Sequence, residues 1–74
     1  MTDFEFTEYR IDLFPANLKK AIKAKGFTES RLAKRANIPL VTISKWVCGR
    51  QNPRIDSLVM VCNVLEISID ELLR

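Results

Sequence analysis

Residues 32–46 of the chain read LAKRANIPLVTISKW, and they hold its most informative pattern. Apolar residues recur at helical spacing on both sides of Asn37, one of the few non-glycine residues that tolerate a positive φ angle. A sharp turn is therefore expected at Asn37. Before it, Ala33 is small enough to let two helices cross closely, and after it Ile43 supplies an apolar contact. The stretch predicts two short helices joined by a tight turn.

Turn residues divide the rest of the chain, from residue 14 onward, into short segments without strand-like alternation. Five helices are predicted, over residues 14–25, 29–36, 40–48, 55–65 and 69–73, so the fold class is all-α. Gly26 and Gly49 suit the ends of the first and third helices, and Thr28 is a good N-cap for the second. The residues expected to face the core are Leu18, Ala21, Ile22, Leu32, Ala33, Ile43, Trp46, Val47, Ile55, Leu58, Val59, Cys62 and Leu65.

Residues 1–13 do not share this helical pattern. Phe4, Phe6, Tyr9, Ile11 and Leu13 alternate with polar residues, as in a half-buried strand. A single short strand has no evident partner in this chain. Residues 1–13 are therefore interpreted as an N-terminal arm, and residues 14–74 as the main domain.

The distribution of charge is more informative than the net charge of +3. Residues 14–54 carry ten basic residues and one acid, for a net charge of +9, whereas residues 1–13 and 55–74 each carry −3. Clustered cations attract a polyanion because they displace its counterions, so nucleic acid is a candidate partner. A solvated helix surface is the alternative explanation of the same cluster.

Composition excludes most catalytic chemistry. The 74 residues are enough for one hydrophobic core, and they include no histidine, the commonest metal ligand and general base. Cys48 and Cys62 have no paired metal-binding spacing, so no metal, no cofactor and no enzymatic activity are expected. No apolar run approaches the roughly 20 residues that cross a bilayer, and the acidic start lacks the basic end of a secretion signal. The expectation is a cytoplasmic protein without membrane contact.

A series of motifs identifies a family resemblance. The motifs, in chain order, are Asn17-Leu18-Lys19-Lys20, Lys25-Gly26-Phe27-Thr28, Leu32-Ala33, Thr42-Ile43-Ser44-Lys45-Trp46, Gly49-Arg50-Gln51-Asn52-Pro53 and Ser68-Ile69-Asp70-Glu71-Leu72-Leu73. In this order the chain resembles the Cro/repressor (XRE-type) helix-turn-helix domains of temperate phages and bacteria, from about residue 14 to 73. The resemblance implies a five-helix, lambda repressor-like domain whose third helix enters the DNA major groove.

The same resemblance implies the residues of a DNA site. Leu40, Val41, Ser44 and Lys45 are the candidates for contact with base edges. Thr42, Arg50, Asn52 and Arg54 are the candidates for contact with phosphates. The partner would be a double-stranded operator bound by a homodimer.

Several positions depart from the family pattern. Leu40 and Val41 stand where polar side chains are usual, and apolar groups can read thymine methyls but cannot hydrogen-bond base edges. Glu29 stands where glutamine commonly contacts a phosphate, and its carboxylate repels DNA. Ile22 and Val47 together replace a common arginine–glutamate pair, which leaves no buried charge unpaired. Glu66 replaces the glycine that usually ends the fourth helix.

Met60 and Val64 are apolar where the family usually shows polar residues, one turn apart on the fourth helix. Contiguous exposed apolar surface usually marks an interface, so these two residues are predicted to meet a partner. The partner is a second copy if the protein is a DNA-binding transcriptional regulator. It is a different protein if the domain is an interaction scaffold, such as an antirepressor or modulator that binds a phage repressor, or the antitoxin of a toxin–antitoxin pair. The sequence leaves these alternatives open.

Overall fold

The computed structural model describes residues 9–74, and these form five α-helices preceded by one short 3-10 turn. The turn covers Ile11–Leu13, and the helices are α1 (Phe14–Ala24), α2 (Glu29–Ala36), α3 (Leu40–Val47), α4 (Ile55–Leu65) and α5 (Ile69–Leu73). The all-α prediction is confirmed, and every predicted helix boundary lies within one residue of the observed one. The positions of the predicted arm that precede Tyr9 lie outside the described residues.

The two ends of α2 follow from single residues. At the start, the Thr28 hydroxyl accepts a hydrogen bond from the backbone N–H of Arg31 at 3.1 Å, as an N-cap does. At the end, Asn37 adopts the left-handed conformation with φ 59° and ψ 43°. The next backbone N–H, of Ile38, then donates to the carbonyl of Ala33 at 2.9 Å. This turn sets the angle at which α3 leaves α2.

Glu66 ends α4 in the same left-handed conformation, with φ 57° and ψ 48°. The following N–H, of Ile67, donates to the carbonyl of Cys62 at 3.0 Å, which satisfies one of the last carbonyls of the helix. A side chain in this conformation costs on the order of 1 kcal/mol relative to glycine. The departure from glycine at this position is therefore tolerated with backbone strain and without a change of the fold.

One hydrophobic core holds all five helices together. Its fully buried side chains are Phe14, Leu18, Leu32, Ile43, Trp46, Val61, Leu65 and Leu72. Phe14 and Trp46 pack edge to face with ring centroids 6.0 Å apart, and this contact joins the start of α1 to α3. Ile22 is buried and Val47 packs half-buried against the core, so two apolar side chains occupy the positions where the family often has an ion pair.

The prediction for α4 was wrong at two positions. Ile55 and Val59 were expected in the core, but they are 69% and 48% exposed, while Val61 is fully buried. Apolar residues occur on more than one side of α4, so helical spacing alone does not decide which side faces the core. Packing of α4 against α2 and α5 selects the face that contains Leu58, Val61, Cys62 and Leu65.

Residues 9–13 lie against the end of α5. The backbone N–H of Arg10 donates to the carbonyl of Leu73 at 2.7 Å, and the Tyr9 hydroxyl donates to the carboxylate of Asp70. None of the side chains in the 3-10 turn is buried. Residues 9–13 are therefore fixed to the domain by hydrogen bonds at its α5 end. None of the helices formed by residues 9–74 has the length and apolar character needed to cross a membrane.

Candidate nucleic-acid interface

α3 has one side fixed in the core and one side open to solvent. Ile43 and Trp46 are buried, whereas Leu40 and Val41 are 44% and 60% exposed. Lys45 is also exposed and lies one turn after Val41. α3 packs against α1 and α2, so its exposed side belongs to the surface and is held in a fixed orientation.

Ser44 has a different environment from the other base-edge candidates. It is half-buried, and its hydroxyl donates a hydrogen bond to the carboxylate of Glu29 with a distance of 3.3 Å between Oγ and Oε1. Glu29 belongs to the first turn of α2, where the helix dipole favours a negative charge. The hydroxyl of Ser44 is thus directed towards α2, and a negative charge lies beside α3.

Three of the phosphate candidates, Arg50, Asn52 and Arg54, lie in the loop between α3 and α4, and the fourth, Thr42, lies in the first turn of α3. Thr42 is half-buried in α3, while Arg50, Asn52 and Arg54 are exposed. The backbone N–H of Arg50 donates to the carbonyl of Lys45 at 2.8 Å, which keeps the start of this loop close to α3. The loop therefore presents Arg50 and Asn52 to solvent without an acidic partner among residues 9–74.

Arg54 differs from Arg50 because a carboxylate lies near it. Its Nε is 3.9 Å from Oδ1 of Asp56, and both side chains are highly exposed. An exposed pair of this kind contributes little to stability. Its effect at the surface is to offset the charge of Arg54.

A shallow groove of about 220 Å³ brings several of the predicted residues together. Its lining residues are Val41, Ser44, Lys45, Cys48 and Arg50, and its walls are almost entirely apolar. Three of the four base-edge candidates and one phosphate candidate therefore share one surface feature. Leu40, Thr42, Asn52 and Arg54 do not line this groove.

Two cations of α2 were not singled out from the sequence. The guanidinium groups of Arg31 and Arg35 lie 5.2 Å and 5.8 Å from the centroid of the Phe27 ring, in cation–π contact. The spacing of four residues between Phe27, Arg31 and Arg35 is the sequence signal that would have found this stack. The stack adds two ordered positive charges to the outer side of α2.

The predicted partner surface on α4 is larger than the sequence indicated. Met60 is 44% exposed, whereas Val64 is half-buried and packs against the core. Ile55 and Val59, which sequence reasoning assigned to the core, add exposed apolar area beside Met60. The three exposed side chains, Ile55, Val59 and Met60, are called the α4 face below.

The architecture as a whole defines a class of protein. Two short helices meet at a tight turn, the second of them exposes one side beside a cluster of cations, and three further helices hold the pair in place. This is the arrangement of a helix-turn-helix domain. A family model described as helix-turn-helix matches residues 18–72, and the chain belongs to that family. The resemblance seen in the sequence is confirmed.

Similar proteins include a curated relative and two solved structures. The cryptic phage CTXphi transcriptional repressor RstR of Vibrio cholerae is 39% identical over 57 residues, which are 77% of this chain and 48% of RstR. The crystal structure of the master regulator for biofilm formation SinR in complex with DNA has a TM-score of 0.76 and 33% identity, and covers 80% of this chain and 98% of that one. A SinR–SinI complex has a TM-score of 0.76 at 33% identity, with 81% and 59% of the two chains covered.

The matches include only part of each curated relative. The matched residues make up 48% of RstR, and between 29% and 53% of the curated relatives that the chain matches. The family match, over residues 18–72, begins within α1 and ends within α5.

Proposed function

We propose that this protein is a DNA-binding transcriptional regulator of the phage Cro/repressor type, which acts by binding and not by catalysis. The observation that carries the proposal is the exposed side of α3, fixed by the core and flanked by Lys45 and Arg50. A polyanion with a groove wide enough for a helix complements this surface. The similarity to RstR and to the DNA-bound SinR structure supports the same function.

Each candidate side chain has a role under this proposal. Leu40, Val41, Ser44 and Lys45 meet base edges in the major groove, and Thr42, Arg50, Asn52 and Arg54 contact phosphates. The fixed turn at Asn37 supports this assignment, because base readout requires α3 to keep one orientation relative to the rest of the domain. The site of action is the cytoplasm of a bacterial or phage-infected cell, where the DNA lies.

A second copy of the chain completes the proposed regulator. Two-fold operators are bound by dimers whose recognition helices are about one helical turn of DNA apart. The α4 face, which includes Met60, supplies the apolar surface for such a dimer together with the half-buried Val64. SinR forms a complex with SinI, which shows that a similar domain occurs in a protein with a protein partner. A heterologous partner, such as a phage repressor, is the alternative occupant of this surface.

The test is the salt dependence of binding to duplex DNA. In gel retardation with a pool of random-sequence duplexes, the affinity should fall steeply as salt rises. The two cationic phosphate contacts of each protomer, from Arg50 and Arg54, correspond to a slope of about −2 per bound protomer in a plot of log affinity against log salt concentration. Arg50→Ala should lower the size of that slope by about one.

Arg10→Ala is the matched control for this experiment. Arg10 is an exposed cation that pairs with Asp12, and its backbone is bonded to the end of α5, outside the proposed DNA surface, so its loss should leave the slope unchanged. Equal effects of the two substitutions would contradict the placement of α3 on DNA. No retardation at low salt and micromolar protein would favour a protein partner instead of an operator.

A further inference from the structure

The exposed side of α3 is poor in hydrogen-bonding groups. Leu40 and Val41 have none in their side chains, and the Ser44 hydroxyl already donates to Glu29. Lys45 is the one remaining side-chain donor among the four base-edge candidates. A surface of this composition cannot recognise bases mainly by hydrogen bonds, since it lacks the donors and acceptors that pair with base edges.

The shape of this surface suits an apolar group instead. Val41 is 60% exposed and lines the groove of about 220 Å³, and Cys48 contributes a thiol about two turns further along the chain. A thiol packs as a small apolar group. The groove is shallow and has almost no polar wall, so it can receive a methyl-sized group that projects towards α3.

The chemistry of the major groove supplies such a group. Thymine presents a 5-methyl group there, and none of the other three standard bases has a methyl group. We propose that the protein recognises its DNA site through thymine methyl groups, which are contacted by Val41 with Leu40 beside it. The proposal rests on the DNA-binding function proposed above and specifies how sequence is read.

The charges around the groove favour DNA over an apolar protein segment as its occupant. Lys45 and Arg50 both line it, and a protein that covered it would have to desolvate or pair these two cations. DNA brings apolar methyl groups and phosphates to one surface, so it satisfies the groove and its cations together.

Glu29 has a defined part in this mode of recognition. Its carboxylate accepts a hydrogen bond from the only hydroxyl of the base-edge set, with 3.3 Å between Ser44 Oγ and Oε1, so Ser44 meets a base edge without a free donor. Glu29 is therefore a positioning residue that suppresses hydrogen-bonded readout at Ser44. The contribution of the methyl contacts to specificity increases as a result.

The experiment begins with selection of bound duplexes from a random-sequence library. The enriched duplex is then synthesised with deoxyuridine in place of thymidine, one position at a time, which removes a single methyl group. The affinity should fall about fourfold at each thymine whose methyl is contacted, the factor that corresponds to burial of one methylene-sized group. Val41→Ser should abolish this loss at one or more of those positions.

Val59→Ser is the matched control variant. Val59 is 48% exposed on α4, close to the exposure of Val41, so both substitutions remove the same side-chain atoms from solvent-facing helices. In Val59→Ser, each deoxyuridine substitution should lower the affinity by the same factor as in the parent, even if the overall affinity of the variant changes. Circular dichroism should show unchanged helical content in both variants.

The outcomes distinguish a failure of methyl readout from a failure of the DNA-binding function. Equal affinity for the thymidine and deoxyuridine duplexes would overturn methyl readout and leave DNA binding intact. If deoxyuridine lowers the affinity of Val41→Ser as much as that of the parent at every position, Val41 does not make the methyl contact. Failure to enrich any duplex would overturn the DNA-binding function, and methyl readout with it.

Discussion

α3 and α4 both expose large apolar side chains, but their surroundings differ in charge. Val41 of α3 lines a groove with Lys45 and Arg50, whereas Met60 of α4 shares a groove with Asp56, whose carboxylate lies near Arg54. An apolar surface beside unpaired cations fits a polyanion that also has apolar groups. An apolar surface with balanced charges fits another protein. The comparison shows that surrounding charge, more than apolar exposure, distinguishes the two kinds of partner.

The two surfaces share one support, and removal of that support should have the largest effect. Trp46 is 2% exposed in the core beneath α3. Trp46→Ala should cost about 3–5 kcal/mol of stability. A domain of this size has only about 3–5 kcal/mol to lose, so the helical signal in circular dichroism should largely disappear.

Val41→Ala is the control on the same helix. Val41 is exposed, so its truncation should change the free energy of unfolding by no more than about 0.5 kcal/mol. A folded Trp46→Ala variant that still binds DNA would show that the orientation of α3 does not depend on the packing of Trp46 in the core.

The α4 face should control assembly. Val59→Lys combined with Met60→Lys should convert a dimer into a monomer in sedimentation experiments, because it places charge on both sides of the interface. Helical content should remain, since both side chains are exposed. Val64 is not used in this test because it packs against the core, so a lysine there would also affect folding.

The equivalent change on α3 tests whether dimer formation depends on the α4 face and not on the exposed side of α3. Leu40→Lys combined with Val41→Lys should leave the sedimentation behaviour unchanged, since the proposal assigns this surface to DNA. A parent protein that stays monomeric at high concentration would disprove the homodimer and favour a different protein as the partner of the α4 face.

Lys45 should affect specificity in a way that Arg50 does not. Lys45→Ala should reduce discrimination at one base pair by about 1 kcal/mol, because it removes the one remaining side-chain donor among the four base-edge candidates. Arg50→Ala should weaken all duplexes about equally. The measurement is the affinity for a set of duplexes that differ at single base pairs, and similar profiles for the two variants would contradict the division into base and phosphate contacts.

Glu29 should have a smaller effect of the opposite sign. Glu29→Gln keeps an acceptor for Ser44 and removes a negative charge beside α3, so the affinity for every duplex should rise about threefold. Glu71→Gln removes an exposed charge on α5 and should leave the affinity unchanged. An affinity that stays the same in Glu29→Gln would mean that the carboxylate does not face the DNA.

The smallest effect is expected at Tyr9. Its hydrogen bond to Asp70 raises the pKa of the Tyr9 hydroxyl above its usual value of 10.0. A raised pKa in the folded state means that the contribution to stability is complete below pH 10 and is lost as the pH rises through the pKa of the folded protein. The difference in melting temperature between the parent and Tyr9→Phe should therefore shrink over that range.

Absorbance provides a direct check of this pKa, because the chain contains one tyrosine. The tyrosinate band of the folded protein should appear at higher pH than that of the unfolded protein. Coincident titration curves would show that Tyr9 does not donate to Asp70 in solution.

Sequence reasoning succeeded where the cause is local. Thr28 caps α2, and Gly26 and Asn37 adopt positive φ angles at the ends of the first two helices, because these preferences belong to the residues themselves. The family resemblance succeeded for the same reason, since it depends on the order of such local motifs. The candidate residues on α3 could be named, and their roles remain predictions.

Sequence reasoning failed where several packing solutions fit one pattern. Ile55 and Val59 are four residues apart, as Leu58 and Cys62 are, so periodicity could not choose between the two faces of α4. The hydrogen bond from Ser44 to Glu29 links residues 15 positions apart and has no local signature.

The sequence by itself therefore determined the number and limits of the helices, the turn between α2 and α3, and the family. These features depend on backbone preferences and on the spacing of apolar residues within a few turns. The tertiary structure alone decided which side of α4 is buried, that the hydroxyl of Ser44 meets Glu29, and that Val41, Lys45 and Arg50 line one groove. The physical reason is that each of these depends on contacts between separate elements, and the packing of the core fixes which contacts are made.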